Sequence, residues 1–275
     1  ALAVVEPTGS GLGGGGFWLL HRESDQKKIM IDGREMAPGF AHKRMYLDEN
    51  DNVIDRASLD GPLAGGIPGI PAGIVYLAMN YGRLPLQSSL QPAINYAEQG
   101  FSVSPGLHRQ IESSKESFKR YPSSASIFLL PGDVPLAGSI LVQSDLASTL
   151  RSIANSGFAG FYQGEMASKI VQGVTANGGI WTLEDLNNYV VLERRPFEIT
   201  YKDIKVTSAS PPSSGGIVMG QILKMLEHFD LESMDHVSRA HHIIEAARRA
   251  YRDRGVFLGD PDFAEIPEQR LLDED

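Results

Sequence analysis

The stretch that most constrains this chain runs from Gly9 to Pro38, GSGLGGGGFWLLHRESDQKKIMIDGREMAP. It opens on a glycine run, Gly13 to Gly16, where backbone can lie against another element with no Cβ in the way. Two apolar segments follow, Phe17–Leu20 and Ile29–Ile31, on either side of a polar turn, Glu23–Gln26. That pattern predicts a β-hairpin. Its second strand delivers Arg34 and Glu35 beside Gly33 and ahead of Pro38, a charged corner suited to ligand binding.

The glycines imitate a dinucleotide fingerprint. Gly9, Gly11 and Gly14 fit G-x-G-x-x-G, and so do Gly11, Gly13 and Gly16. The fingerprint works only when a helix follows at once, because the helix N-terminus holds the pyrophosphate. Here Phe17-Trp18-Leu19-Leu20 follows, bulky and strand-like, and no G-K-[ST] closes the run. The run therefore reads as a packing device, and neither NAD nor ATP is expected to bind.

Arg34 is the leading candidate for a functional side chain. Its guanidinium can grip a carboxylate through two parallel hydrogen bonds, fixing orientation as well as charge. The residues alone leave a second role open, an ion pair with Glu35 or Asp32. Ser213 and Ser214 precede Gly215-Gly216 at a helix start. They lack the G-x-S-x-G elbow of a nucleophile and read as helix caps. His236, His241 and His242 miss the i, i+4 spacing of two metal ligands on one helix face. Asp253 and Asp260 add no matching constellation, and Asp260 and Asp262 read as cap and turn residues. The acidic segment Asp48–Asn52 lacks the EF-hand spacing and reads as a solvated turn. No Ser/His/Asp set or carboxylate pair emerges, so no catalytic residue, metal site or cofactor is assigned to this chain.

Six motifs in order carry a family resemblance: GSGLGGGGF (9–17), IDGREMAP (31–38), GIPGIPAG (66–73), NGGIWTLEDLNNY (177–189), SPPSSGGI (210–217) and FLGDPDF (257–263). Together they resemble the γ-glutamyltranspeptidase family, a branch of the N-terminal-nucleophile hydrolases, over nearly the whole chain. The resemblance implies an α+β fold, part of a four-layer αββα sandwich. It implies a zymogen that cuts itself into a large and a small subunit, with the new N-terminal Thr of the small subunit as nucleophile. This chain would be the large-subunit portion, a single domain over 1–275. An N-terminal segment, the rest of the large subunit and the small catalytic subunit would lie outside it, so the chain alone would be inactive. Arg34 would bind the α-carboxylate of the γ-glutamyl group of glutathione or a related compound. The alternatives are a related acylase, acting on cephalosporin side chains or poly-γ-glutamate, and a non-catalytic scaffold or binding protein of the same fold. A periplasmic or secreted location follows from the resemblance alone.

Composition narrows the partners. Twenty-five Lys and Arg against 34 Asp and Glu give a net charge of −9, which argues against nucleic acid. No run approaches the roughly 20 apolar residues of a membrane span. The absence of cysteine rules out disulfides, thiolate zinc sites and a Cys nucleophile. Periodicity predicts helices over Gly73–Tyr81, Leu86–Gln99, Pro105–Arg120, Glu165–Ala176, Ile217–Phe229 and Val237–Phe257, and another capped by Ser144 and ended by Gly157. Thr182 and Asp185 predict a capping box for a short helix, Leu183–Asn188. Strands are expected in Met45–Asp55, in Ile127–Leu130 and, as an antiparallel pair, in Val190–Val206.

Overall fold

Local chemistry explains where the helices begin. In the computed structural model the residues described are 1–129 and 132–273. The Thr182 side chain accepts from the Asp185 amide, and Asp185 returns the bond to the Thr182 backbone. This is the expected capping box, and it starts the helix Leu183–Asn187. Ser104 caps Pro105–Ser113 by accepting from the Leu107 amide at 3.1 Å. Asp235 caps His236–Phe257 by accepting from Val237 and Ser238. Ser144 is not a cap: it is the first residue of Ser144–Ser156, and Gln143 holds the cap position.

The chain divides into two compact units. The first comprises residues 1–16 and 33–191 and the second residues 17–32 and 192–275. Unit 1 is mostly helical. Leu86–Gln99 buries Ala93, Ile94 and Ala97 and packs on Ser144–Ser156, which buries Ala147, Leu150, Ile153 and Ala154. Around them one apolar cluster extends from Val4 to Tyr189. A two-stranded piece, Phe101–Ser102 with Ile140–Leu141, borders it.

Unit 2 holds most of the sheet. The strands Gly16–Arg22 and Lys27–Gly33 form the expected hairpin, and Leu192–Arg194 pairs antiparallel with the second of them, Ile31 opposite Glu193. A separate ribbon joins Phe197–Tyr201 to Ile204–Ser208. The helices Gly215–Glu227 and His236–Phe257 pack together. Phe197 is almost wholly buried against Gly216 and Gly220, where an added Cβ would lie within 3.0 Å of its ring.

Two of the expected strand regions differ. Ile127 and Phe128 close a helix, Pro122–Phe128, while Leu130 lies outside the described residues. So short an apolar run has no period of its own, and the Phe128 ring finds Phe118 at 5.0 Å. The Met45–Asp55 pair shrinks to one bridge, Leu47 with Val53, because the Asp48 carboxylate takes the Asn50 and Asn52 amides, each at 2.8 Å, and makes a turn. Val190–Val206 does hold an antiparallel pair, Phe197–Tyr201 with Ile204–Ser208, and in addition Leu192–Arg194, which pairs with the hairpin. The expected helix Pro105–Arg120 is two helices, broken at Ser114. No helix among the described residues is long and apolar enough to cross a membrane.

Candidate functional site

Arg34 follows the hairpin's second strand, and several short segments of unit 1 fix its backbone. On one side the Glu35 carboxylate accepts the Gly15 amide at 2.6 Å. A Cβ on Gly15 would sit 2.5 Å from the Glu35 amide nitrogen and 2.8 Å from the Arg34 Cα. Only glycine fits there, so the packing role expected of the glycine run is carried by Gly15. Gly14 is less constrained: its nearest contact would be an ordinary 3.5 Å, and its carbonyl instead accepts the Gly69 and Ile70 amides, each at 3.0 Å.

On the other side Met36 and Ile67 exchange backbone hydrogen bonds of 3.1 and 2.7 Å. The Tyr189 hydroxyl donates to the Arg34 carbonyl at 2.7 Å. Tyr189 stacks on Tyr162, with ring centroids 5.5 Å apart and planes 14° from parallel. The Tyr162 hydroxyl donates to the Pro68 carbonyl at 2.7 Å and accepts the Ala72 amide at 3.1 Å. That amide is one of the donors a helix start leaves unpaired, here the start of Ile70–Asn80. Burial pushes the Tyr162 hydroxyl well above the usual phenol range, so it remains a neutral donor.

The side chain of Arg34 is exposed. Beside its neighbours Met36 and Ala37 opens a cavity of about 480 Å³, lined also by Phe40, Ile67, Thr182 and Asp185. Asp185 serves twice, since the carboxylate of the capping box also accepts the Gly39 amide at 2.8 Å. A guanidinium on so firmly held a backbone suits the binding of a carboxylate. It offers orientation and charge, not bond-making.

The remaining candidates go elsewhere. The Glu35 carboxylate is engaged with Gly15, and in unit 2 the buried Asp32 carboxylate accepts from Arg194 at 2.8 Å. Arg194 also holds Asp262 through two bonds of 3.1 and 2.6 Å, so Asp262 is an ion-pair partner, while Asp260 turns the chain by accepting the Asp262 amide. The Ser213 hydroxyl accepts the Gly215 amide at 3.3 Å, a weak cap, whereas Ser214 occupies the N-cap position but takes Arg254 at 3.0 Å. The His242 ring meets the Ser238 carbonyl at 2.8 Å and the edge of Phe229. Among the described residues no three His, Asp or Glu side chains are grouped to hold a metal.

Comparison with known proteins decides the family. The family model described as Gamma-glutamyltranspeptidase matches residues 1–275. The chain belongs to the γ-glutamyltranspeptidase family. It is 42% identical to a glutathione hydrolase proenzyme of Pseudomonas sp. (strain A14), with all of this chain and 48% of that protein covered. It is 36% identical to the acylase ACY 1 proenzyme of Pseudomonas sp. (strain V22), over 99% of this chain and 50% of that protein. The chain thus spans about half the length of the curated relatives it matches. Among solved structures, the Helicobacter pylori γ-glutamyltranspeptidase aligns with a TM-score of 0.96 at 40% identity, covering 99% of this chain and 79% of that one. The family's mixed helix and sheet is the α+β class expected here. Arg34 was legible in the sequence as the charged residue at a strand end. Tyr189, Tyr162 and the Arg194 clamp were not, since each acts on a residue 90 or more positions away.

Proposed function

We propose that the protein containing this chain transfers or hydrolyses γ-glutamyl groups of glutathione and related compounds. This chain is the large-subunit scaffold, and Arg34 grips the α-carboxylate. The observation that carries the reading is the Arg34 corner: an exposed guanidinium on a backbone braced by Gly15, Ile67 and Tyr189. In this reading the N-terminal Thr of the small subunit attacks the γ-glutamyl amide, with its own α-amine as base. An ester to the Thr oxygen forms as the amide C–N bond breaks and the leaving amine takes the proton. Water or an acceptor amine then removes the γ-glutamyl group. The family's four-layer sandwich is completed by the small subunit of the same precursor. Support for that partner comes from the proenzyme names and doubled length of the relatives. The helix His236–Phe257, with Val237, Ile244 and Tyr251 exposed along one stripe, offers it an apolar face. Taken alone, the chain is expected to be inactive.

The test uses the full-length, processed protein. Hydrogen bonds to charged groups are worth about 1.5–3 kcal/mol, so Arg34→Ala should lower kcat/KM for γ-glutamyl-p-nitroanilide by roughly ten- to a hundredfold. Arg34→Lys should recover part of it, because an ammonium lacks the planar fork. Both variants should still self-cleave, as a gel of the two subunits would show. Wild-type kcat/KM in a normally cleaved Arg34→Ala protein would refute the role. The acylase relatives support a second reading, in which the donor lacks the α-amino acid group. Glutaryl-p-nitroanilide turned over as well as the γ-glutamyl compound would favour it.

A further inference from the structure

We infer that Tyr189, carried on Tyr162, is a positioning residue for Arg34 and sets how tightly the substrate carboxylate is held. The inference rests on the reading that Arg34 grips that carboxylate. A guanidinium sits at the end of a long side chain, so a small rotation of the Arg34 backbone moves it by much more than the rotation displaces the Cα. The peptide plane that follows Arg34 is one of the two that set this direction, and the Tyr189 hydroxyl holds its oxygen at 2.7 Å. The plane's amide belongs to Glu35, whose carboxylate is tied to Gly15. The two holds, one on the Arg34 carbonyl and one on the next side chain, together resist its rotation.

Tyr189 is itself fixed. It is 4% exposed and its ring stacks on Tyr162, which is 1% exposed and bonded at its hydroxyl to both Pro68 and Ala72. Gly69 leaves the passage for the Tyr189 hydroxyl: a Cβ there would lie 2.2 Å from that oxygen and 2.0 Å from the Gly33 carbonyl. The segment Gly65–Gly73 thus reaches Arg34 through two tyrosines and a glycine. This use of the GIPGIPAG and LNNY motifs is independent of any contact between Tyr189 and substrate.

The experiment is a double-mutant cycle on the full-length, processed protein with γ-glutamyl-p-nitroanilide. Tyr189→Phe keeps the ring stack and removes one hydrogen bond. It should raise KM about three- to tenfold with kcat within about twofold, the span that one net hydrogen bond covers. In the Arg34→Ala background the same substitution should change KM by less than twofold, because no guanidinium remains to be aimed. Equal losses in both backgrounds would make Tyr189 merely structural and overturn the inference. Should Tyr189→Phe fail to self-cleave, 4-aminophenylalanine at position 189 keeps a weaker donor, and a KM between those of tyrosine and Arg34→Ala is then expected. A wild-type KM there overturns the inference. A different failure marks the underlying reading: if Arg34→Ala alone leaves kcat/KM unchanged, Arg34 does not grip the substrate, whatever Tyr189 does.

Discussion

Unit 1 gathers buried apolar side chains from Val4 to Tyr189 into a single cluster, whereas the buried members of the cluster in unit 2 are Phe197, Ile217 and Leu271. Unit 2 makes up part of that difference with charge. Arg194 ties the hairpin residue Asp32 to Asp262, Lys28 pairs with Glu198 at 2.6 Å, and Glu227 takes the Lys202 amide. Its long helix buries only alanines among its apolar residues, Ala246 and Ala250. A cleft of about 960 Å³ remains open between its helices, with the buried Gln221 Oε1 unpaired at its wall. Unit 1 is thus held by shape and unit 2 by directed polar contacts. Substitutions in the two should fail by different mechanisms.

The largest effect belongs to the core of unit 1. Ile153 is fully buried, so Ile153→Ala leaves a cavity and should cost about 2–5 kcal/mol. Ile199 packs against the smaller cluster of unit 2 while half-exposed, and Ile199→Ala should cost roughly 1 kcal/mol from lost apolar contact. Urea denaturation of the full-length protein, with hydrogen exchange read on peptides of each unit, measures both. Equal costs would erase the contrast.

Next comes the clamp in unit 2. Arg194→Ala removes the guanidinium bonded to the buried Asp32, a loss of about 2–4 kcal/mol for a partly shielded pair. Exchange should quicken in Lys27–Gly33 and Leu192–Arg194, the strands the clamp joins. If only global stability falls and these strands stay protected, the charge does not hold the sheet.

Glycines sharpen the comparison within unit 1. Gly15→Ala drives a Cβ into the Glu35 and Arg34 backbone and should cost about 1–3 kcal/mol. Gly13→Ala meets nothing within 4 Å and should stay within about 0.5 kcal/mol. The same melting temperature for both would remove the shape argument from the Arg34 corner.

These cases show what the sequence made legible. Elements with local causes could be read from it: the hairpin from two apolar runs, the Thr182 box from its spacing, and Leu86–Gln99 from its apolar face and Gly100. A packing role for the glycine run was also readable, though which glycine bears the contact was not, because Glu35 approaches from 20 residues away. Pairings with distant causes were hidden. Leu192–Arg194 finds Lys27–Gly33 across some 160 residues, and nothing in Val190–Val206 marks which half pairs forward. The helix expected over Ile217–Phe229 runs instead over Gly215–Glu227. Phe197 takes the side carrying Gly216, Ile217 and Gly220, which leaves Phe229 exposed beyond the helix end.

The smallest effect isolates the exposed arm of the clamp. Asp262 is about half exposed, and the hydrogen bonds from Arg194 hold its carboxyl below the usual carboxylate range. A pKa lower in the folded than in the unfolded chain means that the ionised form favours folding. That contribution is present above the unfolded value, near 3.9, and fades as pH falls through the folded value. Asp262→Asn should therefore destabilise the protein at pH 7 by less than about 1 kcal/mol, since solvent screens the pair. The gap to wild type should hold at pH 5 and close below roughly pH 4, as the wild-type carboxylate takes up its proton. Denaturation of both proteins at pH 7, 5, 4 and 3 follows this directly. A gap that stays constant to pH 3 would mean that Asp262 contributes through packing, and that the clamp stabilises unit 2 through Asp32 alone.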